Sequence, residues 1–316
     1  MPELPEVETV RRGLAELIPG RVFAAAGHID SPKSFPNAPE DVRQFLLGAR
    51  VLTVKRRAKV LLIELDSQYS LVIHLKMTGQ LVFRGEQVFG AGHPNDSLIG
   101  ELPDRSTRVV MAFDDGSHLY FNDQRKFGWI KLLPTIEVPN IDFMKKVGPE
   151  PLEADFTAAQ FQARFMRRSK TNIKAALLDQ TVIAGVGNIY ADESLWGARI
   201  DPHRLVGSLS EADFSLLYEE LRVVMNLAIE KGGSTDKNYV DAKGRRGSYM
   251  DLPGCSGAKV RLARAVVMRS PRFAGRGGGR TTVRTVRDKT GAVSRQRYGC
   301  RLSRYVMQPM AYNRYS

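Results

Sequence analysis

Cysteine is nearly absent from this chain of 316 residues: Cys255 and Cys300 are its only two. Two thiols cannot build a disulfide framework, nor a zinc site on their own. Long apolar runs are absent too. No stretch approaches the roughly 20 apolar residues of a membrane span, and the acidic start lacks the basic-then-apolar order of a secretory signal. A soluble, cytoplasmic protein is expected. Acidic residues are scarce in one place only. Residues 251–316 hold 15 Lys and Arg against Asp251 and Asp288, which leaves 32 basic and 32 acidic side chains to residues 1–250. The formal net charge of +13 therefore describes the tail. A polyanion partner for the rest has to be argued from where charge is placed, not from its total. No internal repeat is visible.

What is present, first of all, is a nucleophile. The chain opens Met1-Pro2-Glu3-Leu4-Pro5-Glu6-Val7-Glu8, and trimming of Met1 leaves Pro2 as a free secondary amine. An α-amino group has a pKa near ~8 against ~10.4 for a lysine, so much of it is unprotonated at neutral pH and can attack an electrophilic carbon. A secondary amine then collapses to a cationic iminium, an electron sink without a separate cofactor. Glu3 and Glu6 are near enough in sequence to move protons for it. Taken alone, these eight residues would serve equally well as an ordinary solvated turn.

The length suits two domains with their own cores. Short β-branched or aromatic runs recur from Val51 to about Leu133: 51–54, 60–65, 71–75, 109–113 and 118–121, with Asp114-Asp115-Gly116 as a hairpin signal. Val7 to Leu17 has amphipathic helical spacing. Residues 1–133 therefore read as a β-sandwich carrying an N-terminal helix. The proline-rich stretch 134–152, with Gly148-Pro149-Glu150-Pro151, reads as a linker. Helical spacing then occupies 157–167, 173–178, 190–196 and 211–231, so residues 153–250 are expected to form an all-helical domain. The class is α+β, multidomain. Between those helices, Gly185-Val186-Gly187-Asn188 could offer free N–H groups to a phosphate, although by itself the stretch is an ordinary turn between helices.

Five motifs then occur in order: Met1 to Thr9; Arg56-Arg57-Ala58-Lys59; His74-Leu75-Lys76-Met77-Thr78-Gly79; Asn122-Asp123-Gln124-Arg125-Lys126-Phe127-Gly128; and Gly185-Val186-Gly187-Asn188-Ile189-Tyr190-Ala191. Together they resemble the formamidopyrimidine-DNA glycosylases, bacterial repair enzymes for oxidised purines, over residue 1 to about Met250. Leu4, with Val7-Glu8-Thr9 after it, favours that family over its oxidised-pyrimidine relatives of the endonuclease VIII type. The length and the helical half speak against a tautomerase, the other use of an N-terminal proline.

The resemblance implies roles. Pro2 attacks C1′ of the damaged nucleotide, the base leaves, and the iminium permits strand cleavage by elimination. Glu3 is the acid/base partner, Glu6 orients the sugar or a water, and Lys59, otherwise a surface lysine at a strand end, binds phosphate and assists proton transfer. The nucleotide must be flipped out to be reached, and Met77, Arg125 and Phe127, of which Met77 and Phe127 would otherwise read as core residues, match the wedge that fills the gap. His74 belongs to the DNA-contacting motif, and Lys170 and Asn188 match phosphate contacts of a helix-two-turn-helix. Residues 232–249 match a loop that closes on the flipped base. Ser106 stands where many members carry a phosphate-binding His, so that contact is in doubt. The implied partner is damaged double-stranded DNA, bound by a monomer with no membrane association, in a bacterial cytoplasm at the nucleoid.

The end of the chain departs from the family, whose members normally finish with a zinc finger, Cys-x2-Cys-x16-Cys-x2-Cys. After Met250 there is instead an Arg/Gly-rich stretch with Arg276-Gly277-Gly278-Gly279-Arg280 at its middle. The genetic code suggests a cause. Read one base out of frame, residues 251–260 can encode Phe-Ala-Arg-Val-Phe-Arg-Arg-Glu-Gly, as the family's finger begins. In that frame cysteine can arise at the junctions ending in Ala263, Val266, Val283 and Val286, which have the family's spacing. Any one residue is weak evidence because each shifted codon leaves its first base free; the unbroken register is strong. A single frameshift near codons 250 to 252 is inferred, making 251–316 a non-native, disordered tail in place of the finger. No cofactor is then expected, the family's zinc being lost, and activity is expected to be impaired or reduced to weak DNA binding. The competing explanation is a genuine zincless relative with a selected basic tail. The coding DNA across codons 245 to 290 decides between them.

Overall fold

The computed structural model describes residues 2–93 and 95–233. The tail, Cys255, Cys300 and most of the 232–249 loop lie outside the described residues. The first half is a sandwich of two antiparallel sheets. One has the order β1 (Phe23–His28), β7 (Thr107–Phe113), β8 (His118–Asp123), β5 (Gly79–Arg84), β6 (Val88–Gly92); the other runs β2 (Val51–Arg57), β3 (Val60–Leu65), β4 (Tyr69–His74), β9 (Trp129–Pro134). The alternation of the strands sends Leu61, Ile63, Leu71 and Ile73 from one sheet and Leu81, Phe83, Leu119 and Phe121 from the other into one core. Helix α1 (Leu4–Leu17) adds Val7, Val10 and Leu14, spaced three and four apart on one face. It lies so close to β6 that a Cβ on Gly13 would fall 2.2 Å from the Phe89 ring.

The hairpin signal at Asp114-Asp115-Gly116 joins β7 to β8, with Gly116 at φ +83°. The runs picked out in the sequence omit β1, β5, β6 and β9, and for β1 and β6 there is a physical reason. Phe-Ala-Ala-Ala-Gly-His and Val-Phe-Gly-Ala-Gly have weak strand propensity, and tertiary pairing with β7 and β5 decides their conformation. In β6 the glycines are needed for space as well. Gly92 sits at φ +127°, and a Cβ there would stand 2.5 Å from the Gly79 carbonyl oxygen. A short helix, α2 (Pro39–Phe45), is also missing from the sequence reading, although Pro39 at its first turn with Glu40 and Asp41 is a helix-start signal.

The stretch expected to be a linker is structured. It carries a 3-10 turn at Thr135–Asn140 and helix α3 (Asp142–Lys146), and Val138 packs on Val60 and Val72. The second half contains α4 (Ala158–Met166), α5 (Ile173–Leu178), α6 (Asn188–Gly197) and α7 (Glu211–Glu230). Thr157 with Gln160 and Ser210 with Asp213 form capping boxes on α4 and α7, and Asn172 caps α5. Phe161, Phe165, Ile173, Leu177, Tyr190, Phe214, Leu217 and Leu221 form its core. Leu4, from the start of α1, is buried in this second core rather than the first. The chain's first turn is therefore fastened to both halves.

Candidate active site at the domain junction

Glu3 immediately precedes α1 and is 3 % exposed. Its Oε1 accepts a hydrogen bond from the Ile189 N–H at 3.1 Å, and Oε2 a longer one from Tyr190 N–H at 3.5 Å. These are first-turn donors of α6, which have no partner inside their own helix and lie at the positive end of its dipole. The glycines before α6 make the approach possible. A Cβ on Gly187 would lie 2.2 Å from the Glu3 carboxyl carbon, and one on Gly185, at φ +80°, would lie 2.5 Å from Leu4 Cδ1. The Leu4 N–H donates to the Gly185 carbonyl at 3.0 Å. These helix N–H groups, a possible phosphate cradle by sequence, thus hold the protein's own carboxylate.

Lys59 comes from the β2–β3 turn, where Ala58 has φ +52°. Glu150 holds that turn: its carboxylate accepts from the Ala58 N–H and pairs with Arg56 at 2.8 Å and Arg57 at 3.0 Å. The buried Lys59 Nζ donates to the Val186 carbonyl at 2.8 Å, on the same loop that meets Glu3. Burial lowers the Lys59 pKa, and the charges of Glu3 and Glu6 oppose the shift. Burial, reinforced by Glu6, raises the Glu3 pKa to about 7 against the pull of Lys59 and the two α6 N–H groups. Glu6 accepts from the Glu3 N–H at 2.8 Å and from the Tyr190 hydroxyl at 2.5 Å. Pro2, next to Glu3, is buried too. The arrangement can hold or release a proton near neutral pH beside a nitrogen shielded from bulk water.

Met77, Arg125 and Phe127 form a second group, on the β4–β5 and β8–β9 loops. All three are exposed, Met77 by 39 % and Phe127 by 53 %. Arg125 Nη1 donates to the Met77 sulfur at 3.1 Å, and its guanidinium lies 4.9 Å from the Phe127 ring centre. The sandwich core thus excludes the two apolar members. His74 stands apart from both groups in character. Its Nδ1 accepts from the Lys76 N–H at 3.0 Å, its ring packs near Trp129 and Phe143, and burial with the Lys76 and Lys59 charges lowers its pKa to about 3. It is a neutral imidazole with its proton on Nε2. Lys170, after α4, and Asn188, the first residue of α6, are exposed and outside the buried cluster. Ser106 is buried and donates its hydroxyl to Asp104 at 2.7 Å.

Sequence reasoning does not single out Tyr190, Glu150 or Asp123. Tyr190 and Asp123 lie within two of the five motifs and Glu150 in the supposed linker; only contacts across the fold give them roles. Among the described residues no three His, Cys, Asp or Glu side chains are grouped to hold a metal, and no helix is long and apolar enough to cross a membrane.

A β-sandwich bearing an N-terminal helix, followed by a helical domain whose loop before α6 meets Glu3, defines a class of two-domain proteins with the start of the chain buried at the junction. Family models for the formamidopyrimidine-DNA glycosylase N-terminal domain and H2TH domain match residues 1–130 and 147–239. Formamidopyrimidine-DNA glycosylases of Herpetosiphon aurantiacus and Paracoccus denitrificans are 44 % and 40 % identical to the chain; the alignments cover 83 % and 84 % of it and 91 % and 96 % of those proteins. Among solved structures, the Lactococcus lactis Fpg in complex with DNA containing an abasic site is similar with a TM-score of 0.68 and 32 % identity, covering 79 % of this chain and 86 % of that one. MutM in complex with DNA containing carbocyclic 8-oxo-G gives 0.65 and 34 %, covering 75 % and 82 %. The chain belongs to the formamidopyrimidine-DNA glycosylase family.

The Glu3 titration carries a stability signature. Unfolded, the carboxyl loses its proton near its ordinary value of 4.5; folded, it keeps it to about 7. The native state binds more protons between those values, so this group makes stability fall as pH rises through that window. Glu3→Gln is expected to be closer to wild type in unfolding free energy at pH 4.5 than at pH 8, where it should gain by about 1–3 kcal/mol. Denaturant unfolding at the two pH values measures it; a pH-independent difference contradicts the raised pKa.

Proposed function

We propose that the chain excises oxidised purines, 8-oxoguanine and formamidopyrimidines, from double-stranded DNA and cleaves the resulting abasic strand by elimination, acting as a monomer. The observation that carries this is Glu3: a buried carboxyl with its pKa raised to about 7 by burial and Glu6 against the opposing charge of Lys59, directly after Pro2. Once Met1 is removed, the Pro2 nitrogen bonds to C1′ as the glycosidic bond to the damaged base breaks. Protonation of the sugar ring oxygen opens the ring and leaves the cationic iminium. Loss of a C2′ proton then expels the 3′ phosphate. A group that titrates near neutrality can give one of these protons and take another, and that is the role assigned to Glu3. Lys59 holds phosphate and assists the transfer, while Glu6, with oxygens bonded to Glu3 and Tyr190, orients the reacting end.

Met77, Arg125 and Phe127 enter the stack where the nucleotide leaves it. Lys170 and Asn188 bond phosphates, and His74 offers one neutral N–H donor. Borohydride is expected to trap a covalent adduct between the N-terminal residue and DNA containing an abasic site, and Pro2→Gly to leave much less. Undiminished trapping by a protein with a blocked N-terminus contradicts the assignment.

A second reading, a remnant that binds DNA but turns over little, is favoured by the cysteine count. The family's finger needs four thiolates, and the chain has two, 45 residues apart. The donor set does not fit the family's zinc, and no step above depends on it. The purified protein is expected to contain no stoichiometric zinc by elemental analysis; one zinc per chain contradicts this.

A further inference from the structure

The exposed trio belongs to two loops, and both loops converge on one carboxylate. Asp123, the last residue of β8, has zero exposure. Its Oδ1 accepts from the Thr78 hydroxyl and, at 3.1 Å, from the Arg125 N–H; its Oδ2 accepts from the Gly128 N–H at 2.6 Å. The Arg125 N–H also points to the Thr78 hydroxyl oxygen at 3.1 Å. Thr78 follows Met77, Gly128 follows Phe127, and Arg125 is bonded through its own backbone. Every member of the trio is thus tied to Asp123 directly or by its next neighbour.

Two further features show that the geometry is enforced. Lys76 and Lys126, each adjacent to a trio residue, have φ of +52° and +57°, a region that a non-glycine residue occupies only when its surroundings hold it there. A Cβ at position 128 would stand 2.6 Å from the Phe121 ring and 3.1 Å from Asp123 Oδ2, so only glycine lets that N–H reach the carboxylate. The side-chain partners of Asp123 are backbone and hydroxyl donors rather than a Lys or Arg. Burying a carboxylate is costly unless it is fully hydrogen-bonded, and here the donors that offset the cost all come from the two loops.

We propose that Asp123 is a positioning residue that holds Met77, Arg125 and Phe127 in mutual register, so that the two loops enter the duplex as one body. The proposal rests on the intercalating role assigned to the trio above. Asp123→Asn keeps an acceptor for Thr78 and Arg125 but turns an amide N–H2 toward the Gly128 N–H. Thr78→Val removes the hydroxyl link and leaves the carboxylate, and decides the matter if the first variant does not fold.

Entry into the duplex is read by 2-aminopurine fluorescence opposite a non-cleavable abasic analogue. Chemistry that needs no intercalation is read by borohydride trapping on a single-stranded abasic oligonucleotide. Both variants are expected to lose the fluorescence change and to slow single-turnover excision from duplex DNA by roughly ten- to a hundredfold, the factor carried by a lost hydrogen bond to a charged group. Single-strand trapping should stay near the wild-type level. Equal losses on duplex and single strand overturn the proposal, since Asp123 would then serve the fold at large, and so does unchanged fluorescence. The double variant Met77→Ala, Phe127→Ala separates the two readings. If it keeps full fluorescence and excision, the intercalation is wrong and the proposal falls with it. If it loses them while Asp123→Asn and Thr78→Val do not, the positioning role alone falls.

Discussion

The hydrogen bond from the first turn of α6 to the Glu3 carboxylate is the contact on which the rest of the site depends. It joins the residue after Pro2 to the helical half, and it works in both directions. The helix gains an acceptor for a part-buried first-turn N–H that has no partner inside its own helix, a loss of up to about 1–3 kcal/mol if the donor is left unsatisfied. The carboxylate gains a fixed position at the positive end of a dipole. Burial nevertheless outweighs these donors and Lys59, which is why the pKa goes up rather than down.

The turn that carries Lys59 has a second support, from Glu150, which pairs with Arg56 and Arg57 and accepts from Ala58. The turn before β3 is thus held from outside while the Lys59 amine is held from inside by Val186. Arg56 also pairs with Glu8 of α1 at 3.1 Å, which ties the helix after Pro2 to the turn that carries Lys59. Removing one member of such a buried network leaves its partners uncompensated, a larger loss than the net worth of the pair. At the far end of the described chain, Gly233 follows α7 with φ +98°, and its Cβ position is 3.1 Å from Glu6 Oε1. Gly233, the last described residue, therefore stands beside Glu6.

Much of this is legible in the sequence, and the parts that are not share a cause. Pro2, Glu3 and Lys59 stand in local motifs whose residue types carry their own chemistry. The helices α4, α5 and α7 are readable because their apolar spacing and caps are local. Tyr190 cannot be read as a partner of Glu6, since the two are 184 positions apart and only the packed junction joins them. Glu150 is hidden by prolines that mark a connection and say nothing of burial. His74 is legible as part of a motif but not as a neutral group, because its desolvation comes from neighbours on other elements. The alanine- and glycine-rich strands β1 and β6 are strands because of what lies beside them.

Gly187 offers the most direct test of the junction. A methyl group there would fall 2.2 Å from the Glu3 carboxyl carbon and 2.4 Å from Oε1, so the end of the Glu3 side chain must move off the α6 N–H groups, at a cost of about 1–3 kcal/mol for the donors left without it. Gly187→Ala should therefore remain folded yet misplace the carboxyl to which proton transfer is assigned, and a misplacement of about 1 Å can cost on the order of a hundredfold in rate. The measurement is the single-turnover rate of borohydride trapping on abasic-site DNA by wild type and Gly187→Ala, beside their unfolding curves. A large fall in rate in a protein that still folds, destabilised by no more than about 1–3 kcal/mol, is the predicted result. Equal trapping rates would contradict the claim that Glu3, seated on α6, does the acid–base work beside Pro2.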